Sequence, residues 1–422
     1  MISINNKSPL FLEACKKDEN DQLNHFKDKF HIPIFKKKKN YIYFAGNSLG
    51  LQPKNAEKYI LEELNEWKTL GVEGHLESNR PWLSYHEQLT PFSAEIVGAL
   101  NKEVVVMNSL TVNLHLLMIS FYQPKGKRKK ILIEKQAFPS DRYAVQSQLK
   151  SKGNHPIDDL LLLDPDESNT VSMNQITNCL EKYGEEIALI LLGGVNYYTG
   201  QVFDINKITK MAHNYGCLVG IDLAHAAGNI DLHLHDWNVD FASWCGYKYL
   251  NGGPGAPSGV FVHEKHLERK DIIRLEGWWG HNKSNRFNMP NKFDPIKSVE
   301  AWQLSNPPIL AMAPLLASLT IFHEAGIKNL RKKSEELTSF LEFLIQNEME
   351  NKVEIITPSR INKRGCQLSL RLLNCTNNII SILRDKGIIC DWREPDVLRI
   401  APVPLYNSFL DCYQFVQILK KI

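Results

Sequence analysis

Short apolar runs alternate with amphipathic stretches through the middle of the chain. The apolar runs lie at 130–134, 160–163, 187–192, 218–222, 241–245 and 259–263. Because these runs are continuously apolar, they predict strands buried on both faces, as in a parallel or mostly parallel sheet. Helical patterns lie between them, for example at 173–182 and 205–214. This alternation predicts an α/β domain.

The pattern changes after Pro308. The elements predicted beyond it are a long helix at 310–346 broken near Gly326, alternating apolar and polar residues at 367–372, strands near 388–392 and 398–401, and a helix from about Ser408. Strict alternation is typical of a sheet with one face in water, which predicts a small α+β domain. We therefore expect an N-terminal segment (1–45) packing with the small domain, a large domain (46–310) and a small domain (311–422).

Composition and charge exclude several classes of protein. The 422 residues are 43% hydrophobic and 23% charged, which is ordinary for a soluble globular enzyme. With 50 basic and 47 acidic residues, the formal net charge of +3 is too balanced for a nucleic-acid binder. The basic runs at 36–39 and 125–130 are interpreted as solvated loops.

Cysteines, histidines and the N-terminus narrow the choice further. The 8 cysteines are scattered without a Cys-x-x-Cys pair, which favours reduced thiols in a cytoplasmic protein. His233 and His235 have no third ligand at suitable spacing, so we expect no metal. The N-terminus has no apolar signal core, and the apolar stretch at 187–195 is shorter than the roughly 18–20 residues of a membrane span. We expect no membrane partner.

Two residues at predicted strand ends carry the most specific chemistry. Asp222 ends one apolar run, and Lys248 follows the end of the next, 26 residues later. Pyridoxal phosphate (PLP) needs such a pair: a lysine amine forms a Schiff base with its aldehyde, and a carboxylate keeps its pyridine nitrogen protonated. Taken alone, the pair is also compatible with two solvated strand ends, which are common in α/β proteins.

Further residues could complete a PLP site, although each has a plainer reading. Asn108 or Ser109 can cap the helix that follows, and the free amides of its first turn would favour a phosphate. Phe138 follows a strand end and could stack on a flat ring. His225, three residues beyond Asp222, could lie over the same ring. The alternatives are a helix cap without a ligand for Asn108 or Ser109, core packing for Phe138, and a buried core histidine for His225.

Motifs along nearly the whole chain carry a resemblance. They are FAGNSLGL (44–51), GVEGH (71–75), FPSD (138–141), YYTG (197–200), DLAHA (222–226), WCGYKYLN (244–251), GWWGH (277–281), SNPP (305–308) and RIAPVPLYNS (399–408). In this order the chain closely resembles the kynureninase family, PLP enzymes of the aspartate aminotransferase fold type (fold type I). The resemblance implies hydrolytic Cβ–Cγ cleavage of L-kynurenine or 3-hydroxy-L-kynurenine. The products would be anthranilate or 3-hydroxyanthranilate, plus L-alanine, in tryptophan degradation and NAD biosynthesis.

The resemblance also implies roles for individual residues. Lys248 would hold PLP and move the α-proton, and Tyr247 would act as an acid/base partner. The other residues expected around the cofactor are Leu110, Thr111, Phe138, Pro139, Ser140, Asp141, Asp222, His225, Trp278 and Asn306. Those expected around the substrate are Ser48, His75, Ser305, Asn306 and Arg399, of which Arg399 would bind the α-carboxylate and His75, Ser305 and Asn306 would line the aryl end. Trp278 and Asn306 would come from the neighbouring subunit, which implies a homodimer with shared active sites.

Two positions depart from the family pattern. Trp279 stands where relatives often have Phe, so the pocket wall could be bulkier. Gly193 and Gly194 stand where some relatives carry a hydroxyl that contacts the phosphate. At these glycines only backbone amides could replace that contact.

Three other functions stay open. A cysteine desulfurase-like lyase or an aminotransferase could share the fold, with Cys366 and Cys375 as the loose candidates for a desulfurase nucleophile. A nicotinamide-dependent oxidoreductase is disfavoured, because the glycines at 252–255 do not form the dinucleotide fingerprint. A non-catalytic relative is the third, and the presence of Lys248, Asp222 and Arg399 argues against it.

Overall fold

The computed structural model of the protein describes residues 8–36, 39–349, 352–373 and 378–422. Its α-helices are α1 (Pro9–Glu19), α2 (Asn55–Leu70), α3 (Gly74–Glu77), α4 (Thr90–Val97), α5 (Leu110–Phe121), α6 (Pro139–Ser151), α7 (Met173–Tyr183), α8 (Ile205–Asn214), α9 (Ile309–Ala325), α10 (Ile327–Glu348), α11 (Ile379–Asp385) and α12 (Phe409–Leu419). Its strands are β1 (Phe30–His31), β2 (Ile34–Phe35), β3 (Lys39–Asn40), β4 (Ile42–Tyr43), β5 (Gln52–Pro53), β6 (Val104–Met107), β7 (Lys130–Glu134), β8 (Leu160–Leu163), β9 (Ile187–Gly193), β10 (Leu218–Asp222), β11 (Phe241–Trp244), β12 (Ser258–Val262), β13 (Val353–Ile355), β14 (Leu368–Leu372), β15 (Ile388–Ile389), β16 (Asp391–Arg393) and β17 (Val397–Ile400).

Within the described residues, the largest sheet has seven strands in the order β6-β12-β11-β10-β9-β7-β8. Strand β12 is antiparallel to both of its neighbours, and the remaining pairs are parallel. The predicted strands of the middle region all form, with ends shifted by at most one residue. Strand β6 was missed by the sequence analysis, because a run of four apolar residues between polar flanks is too short for its pattern to identify. The α/β fold with a mostly parallel sheet is confirmed.

Alternating residues of the large sheet enter different apolar clusters, which shows that both of its faces are covered. Leu132 packs in one cluster, whereas its neighbours Ile131 and Ile133 pack in another. Residues of α9 join the first cluster, and residues of α5 and α6 join the second. This explains why the strands are apolar throughout.

The C-terminal part forms a four-stranded antiparallel sheet in the order β13-β14-β17-β16. The expectation of a water-exposed face is wrong for β14. Ser369 on that strand is fully buried, and its hydroxyl donates to the Tyr198 carbonyl at 2.6 Å. The polar residues of β14 therefore face a loop of the large domain, which the local pattern could not reveal.

The N-terminal segment completes the C-terminal part. Strand β4 runs parallel to β15, and the Phe44 amide donates to the Ile389 carbonyl at 2.7 Å. Ala14 of α1 lies in the same apolar cluster as α12. The break predicted near Gly326 in the long helix at 310–346 is confirmed, because α9 and α10 meet at Gly326 with a bend of 80°. The domain boundaries near 45 and 310 stay predictions.

In the part of the chain that the structure describes, no single helix has the length and apolar character to cross a membrane. Helices α9 and α10 meet that test only when taken together across their 80° bend.

Candidate active site

The carboxyl ends of the central strands meet at one edge of the large sheet. Asp222 at the end of β10 is in register with Gly193 of β9 and with Ser243 of β11. Glu134 ends the neighbouring strand β7. A cavity of about 320 Å³ opens at this edge. The residues that line it include Asn47, Ser48, Ser109, Leu110, Thr111, Glu134, Phe138, Ser140, Asp141, Gly193, Asp222, His225, Tyr247, Lys248, Arg393 and Arg399.

Lys248 lies in the turn after β11 and reaches the middle of the cavity. Its Nζ donates to Nε2 of His225 at 3.0 Å and lies 5.9 Å from the centroid of the Phe138 ring. Burial and the nearby Lys248 charge lower the pKa of His225 well below its usual value, so the ring is neutral. The other ring nitrogen, Nδ1, is buried and has no partner among the described residues.

Three carboxyl groups form an acidic end of the cavity. Asp222 accepts the Ala224 amide at 2.6 Å, and buried Asp141 lies against it. Burial and the Asp222 charge raise the pKa of Asp141 well above its usual value, and no described group bonds to its Oδ1. Burial also raises the pKa of Glu134 to about 7, although Gly193 N at 3.0 Å and Asn196 Nδ2 at 2.6 Å both donate to it. This end favours a bound cation, such as a protonated ring nitrogen.

The N-terminus of α5 forms another wall of the cavity. Ser109 occupies the N-cap position but makes no side-chain capping bond, and Asn108 donates instead to Asn113 Oδ1 at 3.0 Å. The side-chain cap expected from Asn108 or Ser109 is therefore absent at this helix, which leaves its first-turn amides without a side-chain partner, and the first-turn residues Leu110 and Thr111 line the cavity. The Thr111 and Ser140 hydroxyls lie 2.8 Å apart. Free amides and hydroxyls at a helix start are the groups that bind a phosphate.

Arg399 lies at the wall formed by the small domain. Its Nε donates to Asp391 Oδ1 at 2.7 Å, its Nη2 donates to Asp391 Oδ2, and its Nη1 donates to the Tyr197 carbonyl at 2.7 Å. Ser48 Oγ also donates to Asp391. Asp391, and Arg393 two residues later, were missed by the sequence analysis. Their alternation with apolar residues at 390–392 was the available signal, because residues i and i+2 of a strand share a face.

Several predicted site residues lie outside this cavity. Pro139 begins α6 beside it. His75 Nδ1 bonds to the Val72 carbonyl at 2.9 Å, and its ring packs edge-on against Trp82. Trp278 is 40% exposed, and Ser305 and Asn306 are exposed too. A single chain therefore does not bring these residues to Lys248.

The positions that depart from the family pattern have defined surroundings. Trp279 is buried beside the Arg286 guanidinium, 4.5 Å from the ring centroid, and does not line the cavity of its own chain. The Gly193 amide donates to Glu134, and the Gly194 amide donates to the Asp222 carbonyl at 2.7 Å. Both amides are thus engaged at the acidic end, so neither replaces the phosphate contact.

The histidines considered for metal have other partners. His233 bonds to Asp231 at 3.2 Å. The fold brings Glu103 and His263 beside His235, a grouping that the sequence spacing did not reveal. Glu103 accepts from His235 and from the Leu100 and Glu264 amides, and His263 bonds to the His235 carbonyl. These bonds give the cluster a structural role.

The cavity residues fit PLP. The unpartnered polar atoms of Asp141 and His225 are buried beside Lys248, which is the amine that the cofactor aldehyde requires. The acidic end suits the pyridine nitrogen, the α5 start suits the phosphate, and Phe138 is 45% exposed beside the lysine. The aldehyde, the pyridine nitrogen and the phosphate of the cofactor thus each have matching groups in the cavity.

Solved structures with the same fold bind this cofactor or act on sulfur amino acids. The cysteine desulfurase from Thermococcus onnurineus NA1 has a TM-score of 0.73 at 16% identity, covering 90% of this chain and 94% of that chain. A C-DES structure with glycine covalently linked to its PLP cofactor has a TM-score of 0.75 at 17% identity, covering 91% and 97%. At such low identity these similarities show the fold alone.

Sequence relatives are much closer. The kynureninase of Myxococcus xanthus (strain DK1622) is 53% identical over 408 residues, 96% of each chain. The kynureninase of Rattus norvegicus is 47% identical over 429 residues, 97% of this chain and 92% of that protein. The family model of the kynureninase C-terminal domain matches residues 330–419. The chain belongs to the kynureninase family.

Proposed function

We propose that this protein is a PLP-dependent kynureninase. It hydrolyses the Cβ–Cγ bond of L-kynurenine or 3-hydroxy-L-kynurenine to give anthranilate or 3-hydroxyanthranilate, plus L-alanine. The observation that carries the proposal is the cavity that Lys248, Asp222 and Arg399 line together, in a chain about half identical to kynureninases over nearly its full length. That arrangement provides an amine, a carboxylate for a ring nitrogen and a cation for an α-carboxylate.

Each part of the cofactor has its own residues. Lys248 would bond to it, Asp222 would pair with its ring nitrogen, Phe138 would stack on its ring, and Leu110 and Thr111 would hold its phosphate. When bound, PLP supplies an electron sink for the carbon atoms of the substrate. Ser140, Asp141 and His225 complete its surroundings, and the neutral His225 ring adds no second positive charge beside Lys248.

The chain's own side chains position the substrate and move its protons. Arg399 would bind the α-carboxylate and fix the Cα hydrogen near Lys248. The Lys248 amine, released when the amino group of the substrate takes its place, would then accept the α-proton. Water adds to the aryl ketone before the Cβ–Cγ bond breaks. Tyr247 lines the cavity, and burial raises the pKa of its hydroxyl, so it is protonated and can act as an acid. Ser48, which contacts Arg399, orients the carboxylate end.

The active site is proposed to be shared within a homodimer. Trp278 and Asn306 would reach the cofactor of the neighbouring subunit, and His75 and Ser305 would line the aryl end with Asn306. The support is that all four lie outside the cavity of their own chain. The same chain exposes large apolar side chains at Trp67, Val72, Leu76, Phe287 and Met289, which suit an interface.

The setting of the reaction is part of the proposal. Tryptophan degradation would supply the substrate, and the hydroxylated product would serve NAD biosynthesis. A cytoplasmic location fits the cysteines of the described residues, where Cys15, Cys179, Cys217, Cys245, Cys366, Cys390 and Cys412 are free thiols.

A cysteine desulfurase activity is the second candidate, because the similar structures include desulfurases. That activity needs an accessible thiolate. Cys366 is buried outside the cavity, and burial raises the pKa of its thiol to about 12. Cys375 lies outside the described residues. Cys245 lines the cavity, but it is buried as well, and burial raises the pKa of its thiol to about 11. Neither Cys366 nor Cys245 therefore offers the accessible thiolate of a desulfurase, which favours kynureninase.

Product analysis tests the proposal. PLP-loaded protein should release L-alanine and 3-hydroxyanthranilate in equal amounts from 3-hydroxy-L-kynurenine, and no sulfide from L-cysteine. The Lys248→Ala variant should release neither product, because it lacks the amine that moves the α-proton. Appreciable turnover by Lys248→Ala would sink the assignment.

A further inference from the structure

We propose that Asp391 determines which substrate charge the site accepts: its carboxylate offsets one of the two positive charges that Arg393 and Arg399 bring to the cavity wall, and so selects amino acids with a single carboxylate. The inference rests on the proposed function, in which Arg399 binds the α-carboxylate. It adds a specificity-determining residue to that site and explains why two arginines are present there.

The strand register places the three charged groups together. Asp391 on β16 lies directly opposite Arg399 on β17, and Arg393 lies two residues along β16 on the same face as Asp391. The Asp391 carboxylate accepts two bonds from the Arg399 fork, and its Oδ2 lies 3.4 Å from Arg393 Nη2. One carboxylate is thus shared between two guanidinium groups.

Asp391 is held as an ion. Both arginines and the Ser48 hydroxyl act on its carboxylate and lower its pKa despite burial. Its side chain is 17% exposed, whereas that of Arg399 is only 1% exposed. Solvent therefore screens the Asp391–Arg399 pair weakly, whereas the Arg393 side chain is 36% exposed and its charge is screened more strongly.

The charge count follows from these contacts. Arg393 and Arg399 line the cavity and contribute two positive charges, and Asp391, which contacts both guanidinium groups, contributes one negative charge. The net charge of +1 matches a single α-carboxylate. Kynurenine has an uncharged aryl ketone where an acidic amino acid such as L-aspartate has a second carboxylate. Without Asp391 the net charge of +2 would attract that second carboxylate.

Arg399 donates to Asp391 through Nε and Nη2, and these two bonds also fix the orientation of its guanidinium group. A guanidinium fork held on one edge keeps its orientation when the cavity is empty. The Tyr197 carbonyl holds Nη1 at 2.7 Å and completes this orientation. The substrate therefore meets a fixed donor, which reduces the cost of ordering it on binding.

The test compares L-alanine, a product with one carboxylate, with L-aspartate, which has two. Their affinities for the PLP-loaded protein are measured by calorimetry, and the ratio of aspartate affinity to alanine affinity is the readout. For unit charges about 8 Å apart at an effective dielectric constant of about 20 to 40, Asp391→Asn should raise that ratio roughly 5- to 30-fold. An unchanged ratio would overturn the inference.

Two further variants separate charge from structure. Arg393→Gln makes the net charge zero and should lower the ratio. Combined with Asp391→Asn, it restores a net charge of +1, and the ratio should return to within about threefold of wild type. A double variant that keeps the raised ratio would show that net charge is not the cause. Asp396→Asn is the matched control, since Asp396 pairs with Arg371 in the same sheet outside the cavity and should leave the ratio unchanged.

Kynurenine turnover by the wild type distinguishes failure of the inference from failure of the proposed function. If the wild type turns over kynurenine and the ratio is unchanged in Asp391→Asn, charge selection is rejected and the kynureninase activity is not. Absence of turnover rejects the kynureninase activity, and the binding ratio still decides whether Asp391 sets the charge of the site.

Discussion

Replacing Arg399 with lysine tests the geometry of the carboxylate-binding end. The guanidinium holds Asp391 through two nitrogens and still has Nη1 on the Tyr197 carbonyl, so its plane is fixed from two sides. A lysine keeps the positive charge but offers a single flexible point of contact. The Arg399→Lys variant would therefore lose at least one ionic hydrogen bond to the substrate carboxylate, and each such bond contributes about 1.5–3 kcal/mol of binding free energy.

That loss corresponds to a decrease of roughly 10- to 150-fold in kcat/KM, at about 1.4 kcal/mol per tenfold. The decrease should come mainly through KM, because the α-carboxylate is bound in the ground state as well as in the transition state. Steady-state kinetics with 3-hydroxy-L-kynurenine measure it, and the melting temperature monitors folding. Arg371→Lys is the matched control, since Arg371 bonds to Glu354 and Asp396 outside the cavity. A kcat/KM for Arg399→Lys within threefold of the control would refute the reasoning.

Three other experiments test the acidic end and the dimer. Burial raises the pKa of Glu134 from 4.5 to about 7, so the wild-type protein loses folding stability as the pH rises between those values. Glu134→Gln removes this titration, so its free energy of unfolding relative to wild type should rise by up to about 3 kcal/mol between pH 4.5 and pH 8. Urea unfolding of the apoprotein measures the difference. A difference independent of pH would contradict the assigned pKa. Asp222→Ala should keep some PLP binding in a spectral titration but lose most of kcat, and a near-normal kcat would remove its role. If the sites are shared, a hybrid dimer of the inactive Lys248→Ala and Asn306→Ala proteins has one site in which both residues are intact. An equal mixture should therefore recover up to about one quarter of wild-type activity, whereas no recovery would argue for independent sites.

The sequence was sufficient to predict the central part of the fold and the middle of the cavity. Continuous apolar runs identified the buried strands, and parallel strands place their carboxyl ends at one edge. Asp222 ends one such strand and Lys248 follows another, and both line the same cavity, so the pattern predicted that they lie at one edge of the sheet. Glu134 ends a predicted strand as well, but a lone glutamate at a strand end is commonly solvated, and only the fold shows that it is buried.

The parts that could not be predicted depend on contacts distant in sequence. Asp391 and Arg393 belong to a three-residue strand whose register with Arg399 exists only after the small sheet has formed. The alternation of β14 predicts a solvent-facing Ser369, but the loop at Tyr198 covers this residue and accepts a hydrogen bond from its hydroxyl. The places proposed for Trp278 and Asn306 need a second subunit, so neither the local pattern nor one folded chain can test them.

The absorbance spectrum of the PLP-loaded protein, recorded before and after adding 3-hydroxy-L-kynurenine, tests the central claim most directly. We expect a visible band that needs Lys248 and changes when the substrate is added, followed by fluorescence of the aryl-amine product. A band that ignores the substrate would keep the cofactor and contradict the kynureninase reaction. The absence of any band after adding PLP would contradict the cofactor site itself.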